Sequence, residues 1–118
     1  MNQEEKKQFT LRIAQANKSQ LIVILYEILF VYLKDVRIAF EQQNREHFRR
    51  DMKRSKACVL ELIKSLNLNY EVAVRLLELY DYVTHKLRIM EARFQITEHT
   101  AVEHILHELY ESFVEMEK

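Results

Sequence analysis

From Leu21 to Leu33 the chain reads LIVILYEILFVYL, thirteen positions interrupted by one charge, Glu27. A helical bilayer span needs about twenty apolar residues, so this run predicts the central helix of a soluble bundle. At ~100° per residue, Leu21, Leu25, Ile28, Leu29, Tyr32, Val36 and Ala39 fall on one face. Ile22, Tyr26, Phe30 and Leu33 form a second stripe beside it. A helix on the surface of a bundle needs one apolar stripe; this one has apolar surface to spare.

The same periodicity organises the rest. Residues 1–8 read as a polar start, and Phe9, Leu11 and Ile13 bring apolar side chains into a segment with little helical commitment. Asn17, with Gln20 three residues on, predicts a capped helix start and a helix from about Lys18 to about Gln43. After Asn44, the positions Phe48, Met52, Ser55, Val59, Leu62, Ile63 and Leu66 recur at helical spacing. The stretch LNLN, residues 66–69, predicts a turn, since Asn tolerates left-handed backbone. A third long helix, about Tyr70 to Phe94, would turn Leu76, Tyr80, Val83, Leu87, Met90 and Phe94 inward. Thr97 is the expected cap of a last helix, Glu98 to about Met116, with Val102, Ile105, Leu106, Leu109 and Phe113 inside. Short connections make sequential helices antiparallel. The expectation is an all-α, antiparallel up-down four-helix bundle over 17–118, preceded by a mobile N-terminal extension, 1–16.

Composition removes several classes. The 118 residues include no Gly and no Pro, which excludes glycine-rich phosphate cradles and argues against tight hairpins. Lys plus Arg equals Asp plus Glu, 18 each, so no global field pulls the chain toward nucleic acid or anionic membrane. One cysteine, Cys58, cannot form an internal disulfide and reads as a small buried hydrophobe. No apolar stretch near the N-terminus resembles a signal peptide, which places the expected site of action in the cytoplasm.

Candidate chemistry is thin. Arg45, Arg49, Arg50, Lys53, Arg54 and Lys56 crowd one helix start, with Glu46 and Asp51 among them; a nucleic-acid surface needs a contiguous basic face. A carboxylate-bridged metal bundle needs Glu-x-x-His motifs, and none of the five histidines has Glu three residues before it. His104 and His107 have the i, i+3 spacing that can hold a divalent ion, but they flank the apolar stripe and read as surface residues. No catalytic pair follows from spacing. The chain reads as a non-enzyme without a cofactor, binding neither nucleic acid nor membrane.

What remains is hydrophobic excess. Tyr82 and Ile89 lie away from the inward face of the third long helix, and Leu79 sits between the two zones. A helix touching two neighbours simply needs a wide apolar arc. The alternative is a groove for an amphipathic partner helix, or for the chain's own N-terminal segment.

Leu21, Leu25, Tyr26 and Glu27 in LIVILYEIL, then about fifty residues, then Leu79, Tyr80, Asp81, Tyr82 and Leu87 in LLELYDYVTHKL, resemble the flagellar secretion chaperone family FliS. Phe113 stands where the family's last helix carries an aromatic residue, and the likeness runs from about Phe9 to Met116. The family's usual Ser-Pro-Glu-Glu start to the long helix is Asn17, Lys18, Ser19, Gln20 here, and Phe9 stands in for an N-terminal Tyr. The resemblance implies a cytoplasmic chaperone that holds the disordered C-terminal segment of flagellin as helix and prevents premature polymerisation. Its partners would include that segment and a co-chaperone or export-apparatus component. Expected client-binding residues are Phe9, Ile22, Tyr26, Phe30, Leu33, Leu79, Tyr82 and Ile89. The N-terminal segment would dock on the bundle when no client is bound. A helical adaptor or homodimerisation module is the competing reading.

Overall fold

Five helices and no strand make up the described part of the chain, residues 1–117 of a computed structural model. They are α1 (Gln3–Gln15), α2 (Lys18–Glu41), α3 (Arg45–Lys64), α4 (Glu71–Arg93) and α5 (His99–Met116). The all-α expectation holds. The N-terminal extension, expected to have little helical commitment, is a 13-residue helix. Its start is encoded: the Asn2 side chain accepts from the Glu5 amide at 2.8 Å while the Glu5 carboxylate accepts from the Asn2 amide at 2.9 Å. This reciprocal cap satisfies two donors that a helix start otherwise leaves bare.

The same device starts α2, where Asn17 and Gln20 cap each other as expected. Asn44 caps α3 through the His47 amide. Two expectations at helix ends fail. Thr97 is not a cap; Glu98 occupies that position and makes no side-chain cap bond. The asparagines of LNLN do not adopt left-handed backbone either, since Asn67 instead accepts from the Asn69 amide at 3.1 Å. Among the described residues the left-handed ones are Gln43 and Phe94. Phe94, at φ 48°, bears a conformation that costs a non-glycine residue ~1–3 kcal/mol. Its ring offsets that cost by packing edge-on against Phe48 at 4.9 Å and beneath the Arg45 guanidinium at 4.2 Å.

α2 is the hub: it packs along α3, α5 and α1, while α4 packs along α3. Residue order runs oppositely along each contacting pair: Phe40 meets Phe48 across the α2–α3 turn, Phe48 and Lys56 meet Phe94 and Glu91, Tyr26 and Leu33 meet Phe113 and His99, and Met1 and Arg12 meet Asp35 and Glu27. Each neighbouring pair is therefore antiparallel. The core runs through Tyr26, Leu29, Leu33 and Val36 of α2, Met52, Val59 and Leu62 of α3, Tyr80, Val83 and Leu87 of α4, and Val102 and Leu106 of α5. On α2 the inward line lies between the two stripes read from the sequence. With three neighbours around it, hydropathy cannot say which part of a wide arc is the centre.

Polar groups inside are satisfied. Every buried side-chain nitrogen and oxygen among the described residues has a hydrogen-bond partner, as buried polar groups require. Tyr26 and Tyr80 meet hydroxyl to hydroxyl at 2.6 Å, linking α2 to α4. His99 is buried at the start of α5; its Nε2 donates to the Leu33 carbonyl at 2.7 Å, and its Nδ1 faces Arg37 at 3.1 Å and Glu103 at 3.2 Å. Asp51 is buried on α3 against Arg50. Cys58 is buried as expected, and burial pushes its thiol up to about 12.

Candidate functional site

The sequence-predicted client residues do not share one surface. Tyr26 and Leu33 are corrected outright: both are fully buried, 0% exposed, because the inward line of α2 runs through them. Ile22 and Phe30 are half-buried on the flanks of α2. Ile22 lines a cleft between α2 and the end of α3. Phe30 faces α5, its ring stacked on His107 at 4.0 Å and edge-on to Tyr110 at 5.5 Å. Leu79 and Tyr82 are exposed on α4, with Lys86 over the Tyr82 ring, and Ile89 is half-buried. Phe9 is half-buried on α1.

The structure instead draws attention to the outer face of α2, where α1 lies. None of α1's residues is buried. Its partly shielded positions are Glu5 and Phe9, with Met1 ahead of the helix and Ala16 just past its end, spaced to share one side of a helix. Leu11 and Ile13 point away and are 56% and 42% exposed. So the apolar content that marked this segment in the sequence contributes one residue, Phe9, to the seat. The signal that could have identified the helix was Asn-x-x-Glu at residues 2–5.

What holds α1 is polar. The Arg12 guanidinium forks onto Glu27, Nη1 to Oε1 at 2.8 Å and Nη2 to Oε2 at 3.0 Å. Glu27 is thus the one charge in the apolar run and the anchor of α1. Tyr110 of α5 lies within the field of that carboxylate; burial, then the Glu27 charge, pushes its phenol upward. At the other end the Met1 amino group pairs with Asp35. Around each of these anchors the fit is loose. A cleft of about 350 Å³ opens beside Ala16, Val23, Ile24 and Val114, and another of about 410 Å³ beside Met1, Val31 and Ile38.

The other sequence candidates find ordinary partners. Arg50 and Arg54 face Asp51, Lys56 pairs with Glu91, and Arg45 covers Phe94. Four of the six basic residues in the cluster thus have an acidic or aromatic partner within the chain, and Arg49 and Lys53 line a shallow surface cleft with Arg45, Glu46 and Arg50. His104 pairs with Glu108, and no group of three or more potential metal ligands exists among the described residues. No described helix is long and apolar enough to cross a membrane.

An all-helical scaffold whose hub helix carries a loosely seated, charge-latched helix has the geometry of a helix-in-groove contact. The profile of the family described as "Flagellar protein FliS" matches residues 1–118, the whole chain. The chain belongs to the FliS family, and with it to the chaperones of flagellar assembly and export. No curated protein matches the sequence.

Proposed function

We propose that this protein is a cytoplasmic export chaperone that binds the disordered C-terminal segment of flagellin, or of a flagellin-like client, as helix and so prevents premature polymerisation. The observation that supports this most is the seat of α1: a helix with no buried residue covers an apolar face of the hub helix. In this reading α3, α4 and α5 complete a four-helix bundle around α2, and α1 is a removable cover. The client takes its place and extends over the half-buried flanks, Ile22 and Phe30, and the exposed Leu79, Tyr82 and neighbouring Ile89. Ordering a disordered segment costs a few kcal/mol. Burying several Leu, Ile or Phe side chains at ~1.5–3 kcal/mol each offsets it, so no cofactor or nucleotide is required.

Calorimetric titration with a flagellin C-terminal segment tests this. The segment should bind, its helical content should rise, and amide protection of residues 3–15 should fall on binding. Phe9→Ala, which loosens the cover, should tighten binding several-fold. Failure of the segment to bind, or binding that leaves α1 protected, would count against the reading. The alternative, a homodimerising adaptor, draws support from the exposed Leu68, Tyr70, Val72 and Val74 around the α3–α4 connection. Sedimentation separates the two: a dimeriser shows a concentration-dependent mass, and the chaperone stays monomeric.

A further inference from the structure

We propose that Glu27, with Tyr110 beside it, is a charge-reading position that selects partner helices carrying an arginine three residues after an apolar anchor. The inference rests on the proposed client reading and adds a chemical rule for what can replace α1.

The rule comes from α1 itself, the helix seated on this face. Phe9 and Arg12 act as one unit: the guanidinium lies over the Phe9 ring at 5.7 Å and forks onto Glu27. Glu27 is only 26% exposed, with Val23 and Val31 one turn before and after it on the same face of α2. When α1 leaves, an incoming helix with an apolar or neutral residue there would cover a carboxylate without compensation, and that is more costly than simply losing a bond. The Tyr110 hydroxyl can donate one hydrogen bond but cannot neutralise the charge. An acidic residue would be repelled. A lysine supplies charge at a single point, whereas arginine matches both carboxylate oxygens. Arginine should therefore be preferred, lysine second, and neutral residues disfavoured.

The cleft beside Ala16 adds a second element. Four positions after Arg12 and just past the end of α1, Ala16 offers only a methyl group to a space of about 350 Å³ bordered by Val23, Ile24 and Val114 together with Gln15, Gln20 and Glu117. A partner helix with leucine at that position fills space that α1 leaves open. The preferred occupant is an amphipathic helix of pattern Phe-x-x-Arg-x-x-x-Leu. By this rule α1 is an incomplete version of its own competitor.

The test uses labelled synthetic peptides of residues 2–17 carrying Ala16→Leu, with Arg, Lys or Gln at position 12. Each is titrated by fluorescence anisotropy into the full chain bearing Phe9→Ala, with and without Glu27→Gln. The Arg peptide should bind at least ~10-fold tighter than the Gln peptide to the chain with Glu27. That preference should shrink to about twofold on Glu27→Gln, where no charge remains to be matched. Equal binding of the Arg and Gln peptides, a preference that survives Glu27→Gln, or no binding of any peptide overturns the rule. If Glu27→Gln does not fold, raising the salt concentration on the Glu27 chain decides: the Arg advantage should fall, and a salt-independent advantage overturns the rule. A flagellin segment titrated in parallel separates the two readings. Its binding equally to both chains leaves the chaperone reading intact and removes the charge rule. Its failure to bind, beside a Glu27-dependent Arg peptide, does the reverse.

Discussion

The Tyr26–Tyr80 centre and the Arg12–Glu27 contact both join α2 to another helix through polar atoms, yet they differ in what surrounds them. Around the tyrosines, Leu29, Leu33, Val83 and Leu87 are closed to solvent, and the two hydroxyls satisfy each other at 2.6 Å. Around the ion pair, α1 buries no residue, and clefts open at both ends of the helix. A buried polar contact fixes one arrangement, because every alternative leaves a hydroxyl unpaired in a dry interior. A half-exposed ion pair can be broken with water replacing either partner, so its loss releases α1 while the scaffold stays folded. The first contact belongs to the scaffold, and the second suits a helix that must leave.

The largest effect should come from breaking the sealed centre. Tyr26→Ala should cost ~3–5 kcal/mol, like other aromatic truncations in cores, and Leu87→Ala ~2–5 kcal/mol, both read by urea unfolding. The sequence-based expectation that Tyr26 is a client contact with a mild stability effect fails on its complete burial; a Tyr26→Ala loss below ~1 kcal/mol would reopen it.

Alkaline pH attacks the same centre without mutation. Burial, then Tyr80, raises the Tyr26 phenol well above its ordinary 10.0; burial also raises Tyr80, and takes Cys58 from 9.0 to about 12. Each folded-state value exceeds the unfolded one, so the native state keeps protons that the unfolded chain has lost. Their contribution is intact below pH 9. Stability should begin to fall above pH 9 through Cys58 and fall faster above pH 10 as the tyrosines join, by up to ~1.4 kcal/mol per pH unit per group. Denaturation midpoints from pH 7 to 11 check this; a flat profile would contradict it. Cys58 should also resist thiol reagents at pH 8 until the chain unfolds.

A subtler change separates packing from polar pairing. Tyr80→Phe strands the Tyr26 hydroxyl and should cost ~1–3 kcal/mol. Adding Tyr26→Phe should restore part of that loss, because two apolar rings leave nothing unpaired. Additive losses in the double variant would place the energy in packing instead.

At the loose contact, Arg12→Gln should shift global unfolding by less than ~1 kcal/mol while releasing amide protection over residues 3–15. If it destabilises the protein as much as Leu87→Ala, the contrast between the two contacts disappears. The smallest effect belongs to Tyr82→Ala on the open face of α4, within ~0.5 kcal/mol in stability, with any consequence confined to client binding.

Much of this was written locally. Asn17 with Gln20 and Asn2 with Glu5 each state where a helix begins, because the capping donors and acceptors lie within four residues of one another. The inward residues of α3 and α4 follow from 3.6-residue spacing, even though α4 leaves Val72, Val74, Leu79 and Tyr82 exposed on its outer side. What the sequence alone could not decide was the orientation of α2. With apolar residues around most of its circumference, which stripe lies inward depends on where α3, α5 and α1 sit, and that is settled by packing among them. Tyr26 and Leu33 therefore moved from expected surface to core. Likewise, nothing in the one-dimensional pattern pairs Arg12 with Glu27, or sets Tyr110 beside them, because those contacts join residues 15 and 83 positions apart. Local hydrogen bonding and periodicity wrote the helices; only their assembly decided which charge in α2 is a latch and which aromatic is a keystone.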